Sequence, residues 1–243
     1  MKKRLDVLLV ERGLVSSRQR AQAYILAGKV LVEDRPATKS GARFEETVAI
    51  RVKEPDHNFV SRGGLKIQGA ITEFQVDVSG RIAADLGAST GGFTDCLLQQ
   101  NVAKVYAIDV GYGQLAWKIR QDERVIVMER TNARHLTELP EPVDLVVGDL
   151  SFISLRLILP AIARIAGPAA DCLLLVKPQF EAGREAIAKG GVVVDAAVRE
   201  AAVTSVLEDA QALGFESLGQ MVSPIKGAKA GNTEHLIHIR TPK

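Results

Sequence analysis

The stretch D-L-G-A-S-T-G-G-F, Asp85 to Phe93, follows an apolar run and leads into a helix-like one. Gly87 lets the backbone turn sharply, while Gly91 and Gly92 let a ligand approach the start of the following helix. The spacing is not the G-x-G-x-x-G of dinucleotide binding, because Ser89 stands in place of the second glycine. Asp109 ends the next apolar run, where a carboxylate can accept both hydroxyls of a ribose. Two further charges leave apolar runs in the same manner, Asp149 in G-D-L-S-F-I-S and Lys177 in V-K-P-Q-F. An ammonium emerging from a buried strand is poorly solvated, so Lys177 does not serve solubility. Lys66 in S-R-G-G-L-K and Glu234 in G-N-T-E-H-L-I-H add one more charge of each sign. Taken singly, Lys66 also reads as a phosphate contact, Asp149 as a helix cap and Glu234 as a surface ion pair.

The elements that must position these residues alternate regularly. Apolar, strand-like runs fall at residues 81–86, 105–110, 125–128, 143–147 and 172–176, with helical stretches at 94–100, 115–121 and 155–165 between them. Continuous apolar strands alternating with helices predict a parallel sheet covered on both faces. A long helix is expected over 195–213, then two strands at 215–221 and 234–239 joined by a Gly/Lys-rich loop, an antiparallel edge on an otherwise parallel sheet. In such sheets a ligand sits beyond the carboxyl ends of the strands, at the switch point, where Asp85 to Phe93, Asp109, Asp149 and Lys177 all fall.

Charge divides the chain unevenly. Of its 243 residues, 31 are Lys or Arg and 29 Asp or Glu, yet residues 1–30 hold seven basic residues and two acidic ones. This basic segment reads as two short helices, the first ended by Gly13 and the second by Gly28. Ser16 stands at capping-box spacing from Gln19. Leu5, Leu8, Leu9 and Arg12 share a face of the first; Ala21, Tyr24 and Ile25 line the inner stripe of the second, leaving Arg12, Arg18 and Arg20 outward. Strands are expected at 30–32 and 48–52, with a turn at 33–36. A basic surface of this kind suits a polyanion partner, although a helical pair serving as a dimerisation arm is the competing reading.

R-L-D-x-L-L from Arg4, followed by S-R-x-x-A-x-x-x-I-x-x-G-K-V-x-V from Ser17, resembles the RNA-binding domain named after ribosomal protein S-four, over roughly residues 3–52. That resemblance implies contacts to structured RNA through Arg4, Arg12, Arg18, Arg20 and Lys29, and from the linker Arg62. The glycine-rich first turn and the acid ending the second strand are similar to S-adenosylmethionine-dependent methyltransferases. The set Lys66, Asp149, Lys177, Glu234 resembles the Lys-Asp-Lys-Glu tetrad of FtsJ/RrmJ-type RNA ribose 2′-O-methyltransferases. With M-E-R-T-N-A-R-H-L at Met128 to Leu136, nearly the whole chain resembles the TlyA family, also labelled haemolysin A. The resemblance implies a Rossmann-like α/β fold with a seven-stranded, mostly parallel sheet of the class I methyltransferase type, preceded by a small α+β RNA-binding domain. The expected boundaries are 1–58 for the RNA-binding domain, 59–80 for a linker and entry helix, and 81–243 for the methyltransferase domain. It further implies S-adenosylmethionine as cofactor, held by Asp85, Gly87, Ser89, Gly91, Gly92, Phe93, Asp109, Asn132 and Asp149. Phe93 stands where the FtsJ group tends to have Trp, Asn132 where it tends to have Asp, and Thr90 where Pro is common. The implied reaction is in-line transfer of a methyl group to a cytidine 2′-hydroxyl of ribosomal RNA, with the large subunit favoured by the short segment after Ile239. Two roles stay open to Lys177: a neutral amine removing the hydroxyl proton, or a charged one orienting the hydroxyl.

Composition excludes other classes. With 47% apolar and 25% charged residues, the chain is not disordered. Two cysteines, Cys96 and Cys172, make no disulfide framework and read as packing thiols in a reducing compartment. His235 and His238 fall on opposite faces of one strand, and His57 and His135 are isolated, so no metal is expected. Tyr112 and Trp117 read either as stacking platforms or as packed side chains. The basic start is interrupted by Asp6 and stopped by Glu11 and Arg12, too soon for a signal peptide, so a cytoplasmic protein is expected. A membrane-active haemolysin would need an insertion segment that no apolar run supplies. A non-catalytic RNA-binding protein is the remaining alternative.

Overall fold

The computed structural model describes residues 2–15, 17–52, 57–227 and 231–243, and its contacts divide the chain into two units, Met1–Asn58 and Phe59–Lys243. In the first, β1 (Lys2–Arg4) runs into α1 (Leu5–Glu11), followed by α2 (Arg18–Leu26), β2 (Val30–Val32), β3 (Arg35–Pro36), β4 (Arg43–Glu45) and β5 (Ile50–Val52). Gly13 and Gly28, at φ 67° and 66°, follow the two helices as expected of glycines that end them. The cap of α2 is Ser17, whose hydroxyl accepts from the Arg20 amide; the capping box built on Ser16 lies outside the described residues. Leu5, Leu9, Ala21, Ile25, Val30 and Val32 close a small core. β2 pairs with β3 and β5, and a separate pair, β1–β4, joins segments too short to carry a strand pattern in sequence. Glu33 and Asp34 both take positive φ, 50° and 61°. That is the sign pattern of a type I′ hairpin turn, made here without a glycine.

Among the described residues of this unit, one charge is buried. Asp6 is fully buried and accepts from Arg4 (2.9 and 3.0 Å), Gln22 (2.9 Å) and Arg18 (3.3 Å). The Arg4 bonds, joined by Gln22 and Arg18, outweigh burial and hold its carboxyl well below the usual range. The acid that interrupts the first apolar run is therefore a packing element, and it draws on two of the arginines expected to face RNA.

The second unit opens with α3 (Gly63–Glu73) and continues through β6 (Ile82–Leu86), α4 (Gly92–Gln99), β7 (Lys104–Ile108), α5 (Trp117–Arg120), β8 (Val125–Met128), β9 (Val143–Gly148), α6 (Leu159–Ile165), β10 (Ala166–Val176), α7 (Pro178–Glu181), α8 (Ala196–Ala212), β11 (Glu216–Val222) and β12 (His235–Arg240). The seven strands order as β11-β12-β10-β9-β6-β7-β8, with β12 antiparallel to both β10 and β11 and every other pairing parallel. The expected seven-stranded, mostly parallel α/β sheet is therefore present.

Side chains alternate across this sheet, which is why its strands are apolar throughout. Leu145, Val147, Leu173 and Leu175 pack with Ile67, Ile71, Phe93, Leu97 and Ile119 on one face. Val146, Cys172, Leu174 and Val176 pack with Leu159, Ile162, Val203 and Val206 on the other. Cys96 and Cys172 lie in these two layers as free thiols.

Three elements depart most from expectation. The helix expected over 155–165 is a single 3₁₀ turn at Leu155–Leu157 followed by α6, because Pro160 has no amide hydrogen to carry the ladder through. β10 begins at Ala166, six residues early, with its register against β9 shifting between Ala166 and Asp171 where Ala169 takes φ 54°. The helix expected over 115–121 is confined to α5, since Ala116 is extended with ψ 138°. Among the described residues no helix is long and apolar enough to cross a membrane.

Candidate active site

The strand order reverses between β6 and β9, and the loops leaving these two strands meet there, at the switch point of the sheet. The Asp149 amide donates to the Leu86 carbonyl at 3.0 Å, while the Gly87 amide donates to Ile108 at 2.8 Å. Gly87 has φ 85°, and a Cβ at this position would lie 2.9 Å from the Asp149 carbonyl oxygen. Glycine is thus required twice over, by conformation and by the neighbouring backbone. Gly91 takes φ 92° at the N-cap of α4, and a Cβ at Gly92 would strike the Ser61 hydroxyl.

Beneath the loop Asp85 is fully buried and accepts from both the amide (3.0 Å) and the hydroxyl (2.6 Å) of Thr94. Burial pushes its carboxyl up to about 7 against those two bonds, and the charges of Asp149 and Asp109 add to the push. Asp109, at the end of β7, accepts from the Ser89 amide (2.8 Å) and the Gly111 amide (2.6 Å).

Four charges form a row across the opening. Lys66 on α3 lies 2.7 Å from Glu234 and 3.2 Å from Asp149; Asp149 in turn lies 2.5 Å from Lys177. Lys177 also donates to the Ser151 hydroxyl at 2.7 Å. The order Glu234, Lys66, Asp149, Lys177 alternates in sign, so the buried Glu234, Lys66 and Lys177 and the partly buried Asp149 each have an opposite neighbour and the row is neutral overall. Such pairing is what makes burial of charge tolerable.

These residues share a cavity of about 750 Å³ with Arg62, Gly87, Ser89, Gly92 and Phe93, within the range of small-molecule sites. Of the residues expected at the site, Asp85, Gly91, Asp109 and Asn132 do not line this cavity. Asp85 acts from below the loop, Gly91 turns toward Leu115, and Asn132 caps the short turn Ala133–His135 through its side-chain oxygen. Ser151, Phe152, Gln179 and Phe180 line it without having been expected there, and the one sequence signal for them is that each lies within three residues of Asp149 or Lys177.

The expected RNA contacts fall into three groups. Arg12 donates to the carbonyls of Glu46 and Val48, and Arg4 and Arg18 are tied to Asp6. Arg20 and Lys29 lie over the Tyr24 ring at 5.6 and 5.4 Å. Arg62 lines the cavity and reaches the Lys226 carbonyl at 3.4 Å. Tyr112 and Trp117 are both exposed rather than packed, with the Arg130 guanidinium 4.3 Å from the Tyr112 ring centre.

Comparison with known proteins locates this architecture. Residues 59–241 match the family described as FtsJ-like methyltransferase, and residues 3–48 match the S4 domain. The 16S/23S rRNA (cytidine-2'-O)-methyltransferase TlyA of Mycobacterium tuberculosis is 49% identical over 243 residues, 98% of this chain and 90% of that protein. Hemolysin A of Brachyspira hyodysenteriae is 40% identical over 242 residues, covering 97% of this chain and 99% of that protein. A solved structure from Streptococcus thermophilus that carries a hemolysin designation superposes with a TM-score of 0.78 at 40% identity, over 100% of this chain and 89% of that one.

Proposed function

This chain belongs to the FtsJ-like methyltransferase family, among TlyA relatives, and from that premise we propose that it transfers a methyl group from S-adenosylmethionine to a cytidine ribose 2′-hydroxyl of ribosomal RNA. The observation that carries the reading is the alternating row Glu234, Lys66, Asp149, Lys177 at the mouth of a cavity whose other wall is the loop Gly87 to Phe93. A phosphate-binding or hydride-transfer site has no use for two lysines each paired with a carboxylate. A site that must handle the proton of a weakly acidic hydroxyl does.

The loop suits the cofactor. Gly87 and Gly92 leave room only for backbone, and Phe93 offers an apolar wall. Asp109 stands at the strand end where ribose hydroxyls are held. Asp85 fixes the loop through Thr94 rather than by reaching a ligand. When bound, the cofactor supplies a methyl group already activated on a sulfonium. What remains for the protein is to bring the hydroxyl into line and to take its proton. Lys177 is the residue we assign to that proton, held between Asp149 and Ser151 so that its nitrogen has one orientation. Lys66, gripped by Asp149 and Glu234, orients the ribose or its neighbouring phosphate.

The first unit delivers the substrate, through Arg20 and Lys29 and through the remaining N–H groups of Arg4, Arg12 and Arg18, while Arg62 acts at the cavity itself. RNA in ribosomal subunits, the large one favoured, places the enzyme in the cytoplasm. The test is methyl transfer from labelled S-adenosylmethionine to isolated large and small subunits, for the native protein beside Lys177→Ala. Label in RNA, mapped to a cytidine ribose and lost in the variant, is the expected result. Cofactor binding without transfer to either subunit would overturn the substrate assignment.

A further inference from the structure

Lys177 and Glu181 stand four residues apart, at the two ends of α7, and both reach the same loop, the one that follows β9. Lys177 grips its beginning, at Asp149 (2.5 Å) and Ser151 (2.7 Å). Glu181 grips its end: one carboxylate oxygen accepts from the Ser154 hydroxyl at 2.6 Å and the other from the Leu155 amide at 2.7 Å. Between these anchors Phe152 takes φ 65° and is 84% exposed at the cavity mouth, a backbone conformation that costs energy for a bulky residue. Its ring leans on Phe180 of α7, with 5.4 Å between ring centres. Leu150, Ile153 and Leu155 pack into the core beneath the loop, while α7 holds the polar groups at its two ends.

From this geometry we propose that Glu181 is a positioning residue for methyl transfer, clamping residues 149–155 so that Asp149 and Ser151 stay in register with the Lys177 amine. The role in turnover rests on the reaction proposed above; the clamp itself is a statement about the loop. Two features set Glu181 apart from an ordinary cap. It is largely enclosed, and burial keeps its carboxyl above the usual range although both bonds from the loop favour the charged form. It is also faced by a compensated pair, Arg156 bonded to Asp209 of α8, rather than by a free cation that would by itself explain an acid at this place. Lys177 and Asp149 hold the other end of the loop, so without Glu181 the Ser154 hydroxyl and the Leu155 amide lose their carboxylate, and this end is left to the buried Leu155 side chain and the turn Leu155–Leu157.

The experiment compares Glu181→Gln, Glu181→Ala and Ser154→Ala in the full chain by turnover on ribosomal subunits and by amide hydrogen exchange over residues 149–155. Glutamine can keep both bonds, its carbonyl accepting from Leu155 and its amide donating to Ser154. It is expected to hold kcat within about threefold. Alanine releases the loop and is expected to lower kcat roughly 10- to 100-fold, the range that a small misplacement of reacting groups produces. Cofactor Kd and RNA KM should move by less than about threefold, since the residue touches neither ligand. Ser154→Ala, which leaves the Leu155 bond, should fall between them even if Glu181→Ala fails to fold. Exchange should quicken at residues 149–155 in the alanine variants and stay slow in Glu181→Gln. Equal kcat in folded Glu181→Ala, or a loss shared equally by Gln and Ala, would overturn the proposal. If the native protein methylates no ribose, the exchange arm still decides the clamp, and unchanged protection in both alanine variants would refute it.

Discussion

Replacing Lys177 by arginine separates the two tasks a lysine can perform at this position. The amine has three donors and sits 2.5 Å from Asp149 and 2.7 Å from Ser151. Lys177→Met deletes both contacts and the charge, whereas Lys177→Arg keeps a cation against Asp149 but cannot release a proton in a protein. Positioned proton transfer contributes about 10²- to 10⁴-fold to a rate, which corresponds to roughly 3–5 kcal/mol of barrier. If Lys177 removes the hydroxyl proton, Met and Arg should both lose that factor. If the residue acts only as a charge that orients the hydroxyl, Arg should recover to within about tenfold of the native rate, the scale of one imperfect hydrogen bond to a charged group. The assay is initial-rate incorporation of labelled methyl into the preferred subunit at saturating cofactor, with cofactor affinity measured by calorimetry and folding by thermal melting. Asp149 keeps Lys66 as a partner at 3.2 Å in either variant, so the fold should survive. Native-like turnover by Lys177→Arg would refute the assignment of the proton to Lys177.

Three further outcomes follow from the same geometry. At Gly87→Ala the added carbon meets the Asp149 carbonyl at 2.9 Å on backbone with φ 85°; a stability loss of about 1–3 kcal/mol and a weakened cofactor Kd are expected, by denaturation and calorimetry. Asp171 is buried in the middle of β10 and accepts from Arg81 (2.6 Å), His238 (2.8 Å) and Arg240 (2.9 Å). Burial works to raise its carboxyl, but His238, Arg81 and Arg240 together bring it below the usual value. Its contribution is therefore present above about pH 4 and lost as the pH falls through the depressed folded value. Asp171→Asn should cost about 3–5 kcal/mol at neutral pH, and flatten this acid limb, without altering turnover per folded molecule. Asp85 behaves oppositely, with a folded value of about 7 and an ordinary unfolded one. The native state holds the extra proton between about pH 4 and 7, so stability falls as the pH rises through that window and levels off above it. Asp85→Asn should remove that slope in denaturant melts, and an unchanged slope would show that Asp85 is ionised in the fold.

Most of the second unit is legible in the sequence because its physics is local. A buried parallel strand must be apolar on both faces, so β6 to β10 announce themselves as runs, and a charged residue ending such a run marks the rim where ligands bind. Lys177 and Asp149 are visible for that reason. Lys66 and Glu234 are not visible in this way: each lies in an element with no such signature, and only resemblance joins them to the other two, 83 residues separating Lys66 from Asp149 in the chain. What composition and periodicity do not carry is the partner of a polar group. Asp6 reads as an interruption of an apolar run, whereas its carboxylate holds Arg4, Arg18 and Gln22 inside the first unit. Trp117 and Tyr112 are open to packing in sequence and face solvent in the fold.

The same limit explains why the tetrad can be expected from sequence but its supports cannot. A row of four charges is stable only if the signs alternate in space, and alternation depends on which strand ends adjoin, not on chain order. Here α3, β9, β10 and β12 bring Lys66, Asp149, Lys177 and Glu234 together in the spatial order Glu234, Lys66, Asp149, Lys177. With one lysine at an end of the row and one carboxylate at the other, the two ends are not equivalent. Lys66 is saturated by acids on both sides, whereas Lys177 has a single acid and a hydroxyl. Each carboxylate beside an amine adds Coulomb attraction that holds the proton on the nitrogen. On the proposed reaction, that asymmetry, rather than the identity of the four residues, is the reason for assigning the proton to Lys177 and not to Lys66. Moving the second acid should therefore move the chemistry: Ser151→Asp, which gives Lys177 a second carboxylate within reach, is expected to depress turnover at neutral pH. Native-like turnover by Ser151→Asp would remove the electrostatic basis for choosing between the two lysines.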